Sequence, residues 1–209
     1  MTVETTSPLA FGLAEKGVFD TGLRFMRPFG IPTISGSALK GAVRRLLSRR
    51  LALTQALASR LESDTKGEVF RSDLPLSKIR EIDRQKSSEL EAWAQMFGFV
   101  GSKDELGAAG TVDFLDAWMC PQRGPFLKLD IVNPHHPKYY RGKDTLPHEW
   151  DEPIPAHFLC VKTKIRFLVA FRAPEEWRAL TLELIKGVLV HEGIGGKTNV
   201  GYGRFKFVE

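Results

Sequence analysis

Residues 191–207 read HEGIGGKTNVGYGRFKF. Gly193, Gly195, Gly196, Gly201 and Gly203 alternate there with Lys197, Thr198, Asn199, Tyr202 and Arg204. Glycine lets a backbone approach a ligand closely and leaves amide N–H groups exposed. Lysine, arginine, threonine and asparagine donate to phosphate and sugar oxygens, and tyrosine stacks on bases. The chemistry expected is a grip on RNA or on a protein-bound polyanion. Two nucleotide-binding motifs fail. A P-loop ending in Gly196-Lys197-Thr198 needs glycine at 191, where His191 stands, and the segment follows a helical pattern instead of opening one. A dinucleotide fingerprint begun at Gly193 and Gly195 needs glycine at 198, where Thr198 stands. The plainer reading is a helix C-cap at Gly193 and a turn. It accounts for one or two glycines, and leaves the donors between them without a role.

A second cationic stretch, GIPTISGSALKGAVRRLLSRR, spans residues 30–50. Pro32 and Gly30 break the chain, and Ser35 or Ser37 can cap a helix. Leu39, Val43, Leu46, Leu47 and Leu51 fall at spacings of three and four, as a buried stripe requires. Lys40 and Arg44 share another stripe, and Arg45 and Arg49 a third. Ser37, Lys40, Arg44 and Arg45 are the candidate phosphate contacts, with Arg49 and Arg50 weaker; a solvated surface is the competing reading. Gly41 inside the helix costs about 1 kcal/mol relative to alanine, and such a glycine often marks the approach of another backbone. The charge distribution agrees. Residues 1–60 carry Lys16, Arg24, Arg27, Lys40, Arg44, Arg45, Arg49, Arg50 and Arg60 against only Glu4, Glu15 and Asp20. Residues 61–110 are net acidic.

Three further groups could do chemistry. His135 and His136 are adjacent, so they do not share a helical face, and no cysteine, third histidine or carboxylate lies at a ligand spacing. No metal and no cofactor are expected. Structural or subunit contact is the preferred role for both, with His136 kept as a weak acid–base candidate. Tyr139 and Tyr140 either pack their loop or stack on a partner. Asp20 could position a ribose hydroxyl or a metal-bound water, and is the other weak catalytic candidate.

These residues need a scaffold. A strand is expected over 17–26, and the capped helix follows. Residues 63–110 read as a polar, partly helical insertion whose best helix is SSELEAWAQMFGF, with Leu90, Trp93 and Phe97 on one face. Residues 111–119 read as a strand and 121–156 as a long irregular binding arm. One or two strands fit 157–172. A second helix has Pro174 at its first position, Glu175 and Glu176 in the first turn, and Trp177, Leu180, Leu184 and Val188 as its buried stripe. A last strand covers YGRFKFV. The order β, α, β, β, α, β predicts an α+β, ferredoxin-like sandwich in one domain over 1–209.

Composition bounds the rest. With 209 residues, 43% hydrophobic and 26% charged, the chain reads as an ordinary soluble protein. No run of 18 apolar residues exists, and MTVETTSPLAFG has no basic and apolar leader pattern. Two separated thiols, Cys120 and Cys160, suggest a reducing cytoplasm over a disulfide scaffold. A net charge of +5 is compatible with nucleic acid without requiring it.

The motifs also carry a resemblance. IGGKTNVGYGRF resembles the C-terminal glycine-rich loop of the repeat-associated mysterious protein (RAMP) superfamily of CRISPR systems. GIPTISGSALKGAVR resembles that superfamily's helix entry, G-x-P-x-I-P-G-S-x-x-K-G-x-x-R. Gly30, Pro32, Ile34, Gly36, Ser37, Lys40, Gly41 and Arg44 match, with Ser35 where proline is usual. DIVNPHHPKYYRG, then LPHEWDEPIPAHFLCV, resembles the sixth-subunit family of the type III-B (Cmr) effector, through Asp130, Pro134, His135, Tyr139, Tyr140, Pro153 and Phe158. GTVDFLDA fits that family too. The resemblance spans about residues 10–208. It implies a non-catalytic, RNA-binding subunit near the 3′ side of the guide CRISPR RNA. Target RNA is a second contact, and the fourth and first subunits are neighbours. It attributes target cutting to the fourth subunit. Three functions stay open: this assembly role, a guide-processing endoribonuclease of the same superfamily, and a generic RNA-recognition module. The last is disfavoured because no K/R-G-F/Y element sits on a central strand.

Overall fold

The computed structural model describes residues 1–13, 23–50, 87–99, 107–132 and 155–208. In chain order its elements are β1 (Thr2–Thr5), β2 (Phe25–Met26), β3 (Ile31–Ile34), α1 (Gly36–Arg50), α2 (Ser87–Phe97), β4 (Gly98–Phe99), β5 (Ala108–Ala109), β6 (Asp113–Phe114), β7 (Ala117–Met119), β8 (Leu127–Val132), β9 (Ala156–Val161), β10 (Arg166–Leu168), β11 (Phe171–Arg172), α3 (Glu175–Gly187) and β12 (Phe205–Val208). They form two compact units. The first comprises Met1–Ile34, Trp118–Leu168 and Gly193–Glu209, the second Ser35–Ala117 and Val169–Glu192.

The first unit holds a six-stranded sheet in the order β12-β1-β10-β7-β3-β2. β1 pairs antiparallel with β10, Val3 opposite Phe167, and with β12, Thr5 opposite Phe205. Strand alternation puts Val3, Thr5, Phe167 and Phe205 on one face, where all four are buried. Phe167 and Phe205 meet edge-on, with ring centroids 6.0 Å apart. Burying one such side chain contributes about 1.5–3 kcal/mol. The Thr5 hydroxyl donates to the Lys162 carbonyl at 2.8 Å and accepts from the Ile165 amide at 2.9 Å, so its burial leaves no polar atom unpaired. β8 and β9 form a separate antiparallel ribbon of six residue pairs, from Leu127 opposite Val161 to Val132 opposite Ala156.

That ribbon places a strand over Leu127–Val132, within the irregular arm expected across 121–156. Its first strand escapes notice because its alternation is inverted. Leu129 and Ile131 are about half exposed, whereas Asp130 between them accepts a bond from Tyr202 of the glycine-rich loop. Residues 133–154 lie outside the described residues, as does most of the strand expected over 17–26.

The second unit is built on helices. Ser35 caps α1: the Ala38 amide donates to its Oγ at 3.2 Å. Leu39, Val43, Leu46 and Leu47 are buried, as their spacing requires. α1 packs against α2 and α3. The strand expected over 111–119 is divided into β6, which pairs with β11, and β7. Between them Asp116 turns to accept the Gly36 amide at 2.7 Å. α3 starts at Glu175, with Pro174 one step earlier as its N-cap. Its buried stripe differs from the one expected. Leu180 is exposed and Trp177 half-buried, while Thr181, Leu184, Ile185 and Val188 are buried. Thr181 can be buried because its hydroxyl donates to the Trp177 carbonyl at 2.7 Å. α3 runs into a π-helical turn over Val188–Glu192, and Gly193 follows at φ +79°, the left-handed terminus its position predicts. Among the described residues, no helix is long and apolar enough to cross a membrane.

Two glycines of α1 have opposite surroundings. A Cβ on Gly36 would stand 2.0 Å from the Phe114 carbonyl oxygen, whereas one on Gly41 would meet nothing within 4 Å among the described residues. Gly36→Ala should therefore destabilise the chain by about 1–3 kcal/mol through overpacking. Gly41→Ala should stabilise it by up to about 1 kcal/mol. Thermal unfolding of the two variants against the parent chain checks both signs.

Candidate nucleic-acid interface

In the first unit the glycine-rich loop is tied to two other segments. The Gly196 amide donates to the Ala10 carbonyl at 2.7 Å, and the Gly203 amide to the Pro8 carbonyl at 2.8 Å. The segment they hold is itself bonded to β9, through reciprocal bonds between Leu9 and Val161. The glycines serve this local packing. A Cβ on Gly195 would lie 2.3 Å from the Ala10 oxygen, and one on Gly203 2.0 Å from the Ile194 oxygen; both residues have positive φ. Lys197 also takes the left-handed conformation, at φ 60°, and leads into a 3₁₀ turn over Thr198–Val200. Asn199 and Val200 at that turn are exposed.

Tyr202 and Lys197 join the loop to the ribbon. The Tyr202 hydroxyl donates to Asp130 Oδ2 at 2.6 Å. Lys128 Nζ lies 2.8 Å from the same oxygen, and the Cys160 thiol 3.9 Å away. The Ile131 amide donates to Oδ1 at 3.0 Å. Hydrogen bonds from Lys128 and Tyr202 hold the Asp130 carboxyl down to about 2. Burial pushes the Tyr202 phenol well above its usual range, and the carboxylate it bonds pushes it the same way. Burial likewise lifts the Cys160 thiol to about 11. The cluster therefore holds one anion, one cation and a neutral phenol that stays protonated, which together clamp the loop to the ribbon. Beside it, Lys197 Nζ sits 4.9 Å from the centroid of the Phe158 ring. Phe158, Cys160 and Ala10 form a buried apolar cluster, against which Leu13, Val132 and Tyr202 pack.

In the second unit α1 presents the other expected contacts. Ser37 and Arg45 are exposed; Lys40 and Arg44 are half-buried. Ser37 shares a hydroxyl–hydroxyl bond of 3.0 Å with Ser35. Arg49 is ion-paired with Glu192. The Arg44 guanidinium lies over the Trp93 ring. In the first unit, Arg204 takes part through its backbone, whose amide donates to Ser7 Oγ at 3.0 Å and whose carbonyl accepts the Thr6 amide at 2.9 Å.

Lys197, Thr198, Asn199, Tyr202 and Arg204 thus belong to one unit, and Ser37, Lys40, Arg44 and Arg45 to the other. Asp20, His135, His136, Tyr139 and Tyr140 lie outside the described residues. Among the described residues, no group of three or more histidine, cysteine or acidic side chains could hold a metal ion. In the sequence Asp130 and Phe158 stand out only as motif residues, with nothing to show that both meet the loop. The one available signal is the lysine–aspartate alternation at 128 and 130, which places both side chains on one side of a strand.

A family model described as the RAMP superfamily matches residues 2–206. The chain belongs to the RAMP superfamily. It is 32% identical over 227 aligned residues to the CRISPR system Cmr subunit Cmr6 of Pyrococcus furiosus, covering 96% of this chain and 65% of that protein. It is 23% identical to the Cmr6 subunit of Saccharolobus solfataricus, covering 91% of this chain and 50% of that one. The chain thus spans between half and two-thirds of the length of these relatives. The crystal structure of Cmr6 from P. furiosus superposes with a TM-score of 0.56 at 29% identity, covering 99% and 96% of the two chains. A chain of a type III-B Cmr-beta complex bound to cognate target RNA shares the fold, at a TM-score of 0.60 and 20% identity, over 100% of this chain and 57% of that one. Homology to Cmr6 agrees with the motif resemblance. Residues from two of the motifs in that resemblance, Asp130 and Phe158 on one side and Tyr202 and Lys197 on the other, meet in a single cluster of this RAMP chain.

Asp130 binds its proton near pH 2 in the folded chain and near 3.8 in an ordinary carboxyl. A depressed folded value stabilises the fold above the unfolded value, and that contribution is lost as the pH falls from about 4 to about 2. Asp130→Asn should lower stability at neutral pH by about 1–2 kcal/mol. It should also flatten the acid-side decline across that window. Urea unfolding at a series of pH values checks this; parallel pH profiles for parent and variant would contradict it.

Proposed function

We propose that the chain is a non-catalytic, RNA-binding and assembly subunit of a type III-B CRISPR effector. It contacts guide RNA near the 3′ side, beside the fourth- and first-subunit neighbours, in antiviral defence. The observation that carries this reading is the clamped glycine-rich loop. Its backbone is bonded to Pro8 and Ala10 and its Tyr202 side chain to Asp130, while Asn199 stays exposed at its tip and Lys197 rests on an aromatic ring. A rigid loop with exposed donors suits a flexible phosphate strand, because little entropy is left to lose on binding. Helix α1 supports the same reading. Gly41 weakens the helix, and among the described residues nothing lies within 4 Å of where its Cβ would stand, next to Lys40 and one turn from Arg44 and Arg45. A bare backbone site flanked by cations fits a ribose-phosphate approaching from outside.

The core is read as ferredoxin-like. Strands β1, β7, β10 and β12 stand in the order β12-β1-β10-β7, each antiparallel to its neighbour. Along the chain α1 lies between the first two and α3 between the last two. That is the strand order of a split β-α-β sandwich. Homology to Cmr6 supports the assembly role.

Fluorescence anisotropy with labelled guide RNA tests the reading. Lys197→Ala and Arg44→Ala should each weaken binding by about threefold to tenfold. Each should also lower the salt slope by about 0.7 for every phosphate the variant no longer neutralises. Gly41→Ala should weaken binding while raising stability. Unchanged affinity and slope in both cation variants would overturn the RNA-binding reading. RNA cleavage by the parent chain that is abolished by Asp20→Ala or His136→Ala would replace the subunit reading with an endoribonuclease.

A further inference from the structure

We infer that Trp93 is a positioning residue that presets Arg44 for phosphate, so that helix α2 of the insertion is part of the RNA grip. The inference rests on the RNA-binding reading of α1 above. Three interactions close a ring. The Arg44 guanidinium carbon lies 5.4 Å from the Trp93 ring centroid. Trp93 Nε1–H donates to Ser48 Oγ at 3.0 Å. The Ser48 hydroxyl donates to the Arg44 carbonyl at 2.8 Å. Arg44 is therefore held at both ends, its main chain by Ser48 and its charged head by the ring that Ser48 also fixes.

The seat is itself anchored. Trp93 meets Phe97 at 5.7 Å, and Phe97 stacks on Phe114 at 6.1 Å and 11°. Phe97 is buried, whereas Trp93 and Arg44 are only half-buried. The helical spacing that predicts Trp93 as core thus delivers an indole whose face serves a cation at the surface. A guanidinium stacked on an indole face keeps its N–H donors pointing outward around its rim, free to fork onto a phosphate. A mobile arginine loses rotamer freedom when it binds; one already seated has less to lose.

The test uses the full chain, fluorescein-labelled guide RNA, and the variants Arg44→Ala, Trp93→Leu, Trp93→Phe, Ser48→Ala and Arg44→Ala/Trp93→Leu, each checked for its thermal midpoint. Trp93→Leu should weaken binding about threefold to tenfold and leave the salt slope unchanged, because Arg44 keeps its charge but loses its preset. Trp93→Phe, which keeps an aromatic face, should recover most of that loss. Ser48→Ala removes only a hydroxyl and should give part of it. The double variant should bind no more weakly than Arg44→Ala alone. Trp93→Leu or Ser48→Ala binding like the parent, while Arg44→Ala binds weakly, would overturn the positioning role and leave the RNA-binding reading standing. A double variant markedly weaker than Arg44→Ala would also overturn it, since Trp93 would then act independently of Arg44. If Arg44→Ala itself binds like the parent, the role of α1 in RNA binding falls first.

Discussion

The hydrogen bond from Tyr202 to Asp130 is the constraint on which the candidate interface depends. The glycine-rich loop has only one short 3₁₀ turn of its own, and its glycines stand at backbone angles that carry a high entropic cost to order. Such a segment keeps one shape only if tied at several points. Gly196 and Gly203 tie it through main-chain bonds, but these run to Ala10 and Pro8, a segment without a long ladder of its own. The Asp130 carboxylate adds a bond to a paired strand, and a charge-assisted one. Lys128 neutralises the carboxylate and so offsets the cost of its partial burial.

The two groups of expected contacts share a physical device. Lys197 sits over Phe158, and Arg44 over Trp93. Each cation is placed by an aromatic ring, so the loop and the helix present charge from defined positions. At Gly41 the helix gives up propensity that alanine would supply, at a position where a Cβ would meet nothing within 4 Å among the described residues.

Much of this was legible in the chain. The Leu39, Val43, Leu46 and Leu47 stripe, the Ser35 cap and the Gly193 terminus follow from local rules acting over three or four residues. The misses are non-local. Nothing near Tyr202 announces Asp130, 72 positions away, and nothing near Gly36 announces Asp116, 80 positions away. β8 was hidden because Leu129 and Ile131 face outward while the charged pair serves the cluster, reversing the usual sense of a half-buried strand. In α3, Thr181 took a place in the core that Leu180 was expected to hold, because a helical hydroxyl can bond its own preceding turn. The candidate interface was legible as residue types around the loop and α1, but not as geometry: the clamp beneath the first and the tryptophan seat beneath the second come from distant parts of the chain.

A double-mutant cycle on Asp130→Asn and Tyr202→Phe, read by urea unfolding at neutral pH, tests the clamp most directly. The account predicts a coupling of about 1–3 kcal/mol between the two substitutions, because each removes the same charge-assisted bond. Effects that add to within about 0.5 kcal/mol would contradict it.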